Sequence, residues 1–183
     1  SGQSPDIVSV LEEGRRQRAL TAAITNAPDS PLAAAADFVL PLHAGPERSV
    51  AATKTYTAEL AAVALLSAAL NGDSAQEREL MAVVAAAAQA LDLSDEVARI
   101  AARYRFVDRC VVLGRGFNYA TAFEVALKLK ETNYIASEPY SPADFIHGPL
   151  AMLDESYPGI VIAPTGAVLP GMREAMALIQ ARG

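Results

Sequence analysis

Glu124, Lys128 and Glu131 are spaced by four and three positions, so a helix carries all of them on one face, with Ala122, Val125 and Leu129 turned the other way. The spacing alone fits a solvated stripe with an i,i+4 ion pair as readily as a site. His147 lies further on, in Ser137-Glu-Pro-Tyr-Ser-Pro-Ala-Asp-Phe-Ile-His147-Gly-Pro, where prolines and a glycine predict a constrained loop. A lone loop histidine is ordinarily just solvated. A carboxylate and an imidazole together, however, match what aldose–ketose isomerisation requires. One moves a proton between neighbouring carbons and the other opens the sugar ring.

A second group lies at the start, Ser1-Gly2-Gln3-Ser4-Pro5-Asp6. Hydroxyl, proline and acid in that order open a helix, and serines with a glycine at a helix N-terminus can donate several hydrogen bonds to a phosphate. Ordinary capping by Ser4 explains the same residues. No lysine is present, so this is not a Walker loop. His43-Ala-Gly-Pro-Glu-Arg-Ser-Val50 is another loop feeding a helix, where open α/β sheets hold ligands; His43 alone reads as solvated.

These groups must be positioned by the elements between them. Helices are expected from Ile7 to about Gln17, Leu32 to Ala36, Val50 to Leu70, Ser74 to Leu91, Ser94 to Arg105, Tyr119 to Tyr134 and Leu169 to Ala181. Apolar strands are expected at Ala19–Thr25, Phe38–Leu42, Val107–Leu113 and Gly159–Ala163, with a proline-containing loop before a short segment around Ala143–Leu150. Continuous apolar strands alternating with helices predict an α/β fold whose parallel sheets are covered on both faces. The strand–loop–helix pattern recurs around Ser1 and Gly114. The organisation expected is one lobe over residues 1–72, connecting helices over 73–105 and a second lobe over 106–183.

The 183 residues include 15 Lys and Arg against 21 Asp and Glu, a net charge of −6 that makes nucleic acid an improbable partner. Despite 52% hydrophobic residues, no apolar run is long enough to cross a bilayer, and no basic-then-apolar leader opens the chain. Cys110 is the single cysteine and reads as a small buried side chain in a reducing, cytoplasmic setting; with two separated histidines it makes no metal cluster. No cofactor is implied. The opening serine loop without a strand before it, and an end just past a helical pattern, predict truncation at both ends.

Taken together, Leu113-Gly-Arg-Gly, Ala122-Phe-Glu-Val-Ala-Leu-Lys-Leu-Lys-Glu131, Tyr134-Ile, Glu138, Tyr140 and His147-Gly-Pro-Leu-Ala resemble the second sugar isomerase (SIS) lobe of the glucosamine-6-phosphate synthases. Ala44-Gly-Pro-Glu-Arg-Ser-Val-Ala-Ala-Thr-Lys54 resembles the first lobe, and Ser1-Gly-Gln-Ser4 the tail of its phosphate loop. The resemblance implies two flavodoxin-like SIS lobes and chemistry on fructose 6-phosphate or glucosamine 6-phosphate, with amino transfer or deamination. It gives Ser1, Gly2 and Ser4 to the phosphate and Val50 and Ala51 to the sugar. Glu131 becomes the acid–base group, with Glu124 and Lys128 as charged neighbours. His147 becomes the ring-opening group, reaching across an obligate homodimer into the partner's site. Asp144 and Ile146 depart from the family's glutamate and lysine, and the family's first phosphate-loop Ser-Gln and lysine-bearing tail are missing, so these residues alone are expected to be catalytically incompetent. The alternative is a non-catalytic module that only binds a phosphorylated hexose or hexosamine.

Overall fold

The computed structural model describes residues 2–72, 74–154 and 157–181; Ser1 of the expected phosphate loop lies outside them. The chain divides into two compact units, Ser1–Ser94 and Asp95–Gly183. In the first, α1 (Pro5–Arg16) leads to β1 (Ala22–Thr25), α2 (Pro31–Ala35) and β2 (Phe38–Pro41), followed by α3 (Lys54–Asn71) and α4 (Ser74–Leu91). Strand β1 pairs with β2 in parallel, Ala22 opposite Phe38. Its inward residues Thr21, Ala23 and Thr25 are buried. Asp37 locks the start of the pair by accepting from the amide and hydroxyl of Thr21 at 3.0 and 2.8 Å.

Helix α5 (Ser94–Ala101) and a 3₁₀ turn (Ala102–Tyr104) lead to β3 (Arg109–Leu113), α6 (Phe117–Asn133), β4 (Ala136–Tyr140), α7 (Pro142–Ile146), a second 3₁₀ turn (Pro149–Met152), β5 (Gly159–Val161) and α8 (Leu169–Gln180). The strand order is β4-β3-β5, all parallel. Central β3 is sheathed on both faces. Val112 packs on Ala122 and Ala126 of α6. Val111 and Leu113 pack on Phe145 of α7, Met172 of α8, Leu150 and Tyr157. Because side chains alternate along a strand, α6 covers one face of the sheet and α7 with α8 the other.

Two elements differ from the sequence expectation. Residues read as a proline-containing loop form β4. The amide of Ala136 donates to Asp108 and the carbonyl of Tyr140 accepts from Gly114, so both residues face β3. Pro139, one position out of phase, turns its missing N–H to the open edge, where proline costs the ladder nothing. Helix α3 begins at Lys54 rather than Val50, for a reason that lies in Glu47, described below.

The turn from β3 into α6 leaves no room for a side chain at Gly114. A Cβ on Gly114 would collide with the backbone carbonyl of Asn118 and press on the Ala122 methyl. Gly114→Ala is therefore expected to destabilise the fold by about 1–3 kcal/mol, whereas Gly148→Ala, where a Cβ meets open space, should cost far less. Denaturant unfolding of the two variants side by side checks this.

Candidate functional site

Three helices open with a serine followed by proline: Ser4-Pro5, Ser30-Pro31 and Ser141-Pro142. Each serine has the extended N-cap backbone. Two cap as expected, Ser30 accepting from the amide of Ala33 at 3.3 Å and Ser141 from that of Asp144 at 3.2 Å. Ser4 makes no side-chain cap bond. Ser4 instead lines a cleft of about 260 Å³, at the positive end of a twelve-residue helix. Gly2, Thr25 and Asn26 line the same cleft, beside Ile7, Ile24 and Leu32, with Glu59 contributed by α3.

Gly2 is fixed in this position. It has φ +66°, a Cβ there would run into the Ser30 side chain, and its carbonyl accepts from the amide of Leu32 at 3.1 Å. Only glycine satisfies both the angle and the approach. The cleft thus sits at the carboxyl end of β1, the edge where open parallel sheets receive ligands.

Residues 42–53 join β2 to α3 without regular structure. Within them Val50 is fully exposed, while Ala51 is buried. The Glu47 carboxylate folds back over the start of α3. It accepts from the amides of Thr53 and Thr55 at 3.3 and 3.1 Å and from the Thr55 hydroxyl at 3.1 Å, and pairs with the Lys54 ammonium at 2.8 Å. A carboxylate on orphan helix N–H groups caps the helix from outside, which is why Val50–Thr53 stay out of it. The Lys54 ammonium, followed by the Thr55 amide, holds this carboxyl down at about 2, against an ordinary 4.5.

On α6, Lys128 stands between two carboxylates, 3.4 Å from Glu124 and 2.6 Å from Glu131. The buried Ala122 and Ala126 lie on the opposite face, with Val125 and Leu129 packed beside them, as the spacing predicts. The hydrogen bond to Glu131 raises the Lys128 ammonium's pKa, and Glu124 adds to it, against a partial loss of hydration. The Lys128 and Glu124 side chains are only 23% and 20% exposed, so this is not a freely solvated stripe. The buried Ser137 hydroxyl donates to the carbonyl of Ala126 at 2.6 Å, tying α6 to β4.

His147 follows directly on α7 as its C-cap and is exposed. No hydrogen bond or ion pair joins it to Glu131 among the described residues. Glu131 lies in the last turn of α6, toward the edge where β3 and β4 begin, whereas His147 follows the edge where β4 ends. Their helices cover opposite faces of the sheet. The unit therefore brings Glu124, Lys128 and Glu131 together and leaves His147 apart. Sequence reasoning did not single out Asn26, Glu47 or Glu59. Among the described residues no group of His, Cys, Asp and Glu is arranged to hold a metal, and no helix is long and apolar enough to cross a membrane.

Two units with parallel strands, one carrying a cleft that Ser4 lines at a helix N-terminus, define an α/β protein. The profile described as SIS domain matches residues 1–69 and 105–183, and the chain belongs to that family. It is 37% identical to the isomerizing glutamine–fructose-6-phosphate aminotransferase of Zymomonas mobilis, the match covering 100% of this chain and 32% of that protein. With the Aquifex aeolicus aminotransferase the identity is 39%, over 92% of this chain and 28% of the other. The solved C-terminal domain of glucosamine-fructose-6-phosphate aminotransferase from Francisella tularensis superposes with a TM-score of 0.94 at 32% identity, covering 100% of this chain and 55% of that one. The chain thus spans about a third of the length of the curated relatives it matches.

The depressed Glu47 carboxyl makes a pH prediction. Protonation weakens the folded state more than the unfolded chain, so this contribution to stability is whole above pH 4.5 and is lost as pH falls toward about 2. Unfolding measured across that window should show a smaller loss of stability on acidification in Glu47→Gln than in the unaltered protein.

Proposed function

We propose that this chain forms the sugar-handling part of an aminosugar-phosphate enzyme that interconverts fructose 6-phosphate and glucosamine 6-phosphate, with the amino group gained or lost at C2. The names of the relatives favour fructose 6-phosphate as the sugar. The observation that carries the reading is Ser4, which makes no cap bond and lines the cleft where Gly2 holds the backbone in place. That arrangement suits a phosphate, gripped by local donors and a helix dipole in a protein whose net charge is −6.

In the proposed mechanism Ser1, Gly2 and Ser4 hold the phosphate and Val50 and Ala51 border the sugar. Glu131 removes and returns the proton between C1 and C2, with Lys128 keeping it aligned and Glu124 completing the charged group. His147 opens the ring. Its distance from Glu131 across the sheet supports the expectation that a second copy supplies it, in a homodimer. A cytoplasmic setting fits the substrate class. No cofactor takes part in these steps.

General acid–base catalysis contributes about 10²–10⁴-fold. Glu131→Gln in the full-length protein is expected to lose turnover by that order while still binding fructose 6-phosphate. Turnover at the unaltered rate would remove Glu131 from the mechanism. Sugar binding with no turnover in the unaltered protein would instead make it a phosphosugar-binding module.

A further inference from the structure

The irregular stretch between β2 and α3 is pinned at two points by side chains. At its start, Asn26 spans two consecutive residues: its amide nitrogen donates to the carbonyl of Gly45 at 2.6 Å and its carbonyl oxygen accepts from the amide of Ala44 at 3.0 Å. Backbone angles follow suit, with φ +52° at His43 and +71° at Gly45. Asn26 also lines the cleft that holds Gly2 and Ser4, and a neighbouring hollow of about 380 Å³ bordered by His43, Gly45 and Pro46. At its other end, Glu47 reaches forward to Thr53, Lys54 and Thr55, closing residues 47–53 into a ring. Inside that ring Ala51 is buried and Val50 stands fully in solvent.

An exposed valine on a twelve-residue connection would ordinarily sample many conformations, and ordering it on ligand binding weakens the complex. Here the ordering is already done, by the bonds of Glu47 and of Asn26, which itself lines the cleft. We propose that Asn26 and Glu47 are positioning residues that hold residues 44–53 as a preset strap beside the phosphate-holding cleft, so that the strap meets the sugar part of a hexose phosphate without further ordering. The inference rests on the phosphosugar reading given above. Neither residue need touch the reacting atoms. The cleft's wall on this side is the first part of α3, through Glu59, and Glu47 fixes where that helix begins. A carboxyl held at about 2 keeps its charge at any working pH, so the clamp does not titrate during function.

The strap and the phosphate loop are separable by ligand. Glu47→Gln in the full-length protein, titrated calorimetrically with fructose 6-phosphate and separately with inorganic phosphate, should bind the sugar phosphate roughly tenfold more weakly and inorganic phosphate within about twofold of the unaltered protein. Thr55→Val, which removes one clamp bond and leaves the ion pair, should show a smaller weakening in the same direction, and it carries the test should Glu47→Gln fail to fold. Amide exchange at residues 49–53 should quicken in both. Equal weakening for both ligands, or none for either, overturns the positioning role while leaving the phosphosugar reading intact. Failure of the unaltered protein to bind either ligand overturns that reading and this inference with it.

Discussion

The architecture of the second unit follows from one strand that water does not reach on either face. Val111, Val112 and Leu113 of β3 have no exposed surface, and their alternation sends Val112 to α6 and its neighbours to α7 and α8. A strand buried twice over fixes the helices on both sides. The consequence for chemistry is direct. Since Ala122 and Ala126 must lie against Val112, residues a half-turn away cannot. Glu124, Lys128 and Glu131 are thereby held on the far face, close enough for one ammonium to reach both carboxylates. Small residues at the contact bring the helix close, and the buried Ser137 hydroxyl on the Ala126 carbonyl limits its sliding. The charged group is thus positioned by packing on its opposite side.

The same logic gives the three Ser-Pro openings different work. Proline at N1 presets the helical φ and needs no hydrogen bond, so the serine before it can cap or not without harm to the start itself. Ser30 and Ser141 lie beside buried side chains, Ala33 and Phe145, and their hydroxyls cap. Ser4 opens a helix with no buried residue, makes no cap bond and lines the cleft. A serine that looks like a cap in sequence is left uncapping, in a cleft lining, by what surrounds it.

Much of this was legible because it is periodic. The charged and apolar faces of α6, the strand Arg109–Leu113 and the helix Ser74–Leu91 all follow from counting, and the SIS resemblance rests on ordered motifs covering the whole chain. The parts that were not legible depend on partners distant in sequence. Pro139 argued against a strand, and only β4's place at the sheet edge makes it acceptable. Alanine-rich sequence from Val50 onward read as unbroken helix, because propensity cannot register a glutamate seven residues before Lys54 claiming its first amides. Asn26 is likewise indistinguishable from any turn asparagine until β2 lies beside β1 and presents Ala44 and Gly45 to it.

Charge is what distinguishes the first unit's cleft from a generic hollow. Its lining combines Ser4, at the start of α1, with Glu59 of α3. An anion is favoured at the helix start by the dipole and opposed near a carboxylate. In the proposed reading the two effects together would orient a ligand with one anionic end as well as hold it. A broad basic surface would bind such a ligand in any pose, whereas an acidic protein with a few local donors admits one. In the proposed reading a net charge of −6 is compatible with phosphate recognition because the grip would come from backbone and hydroxyl groups that carry no formal charge.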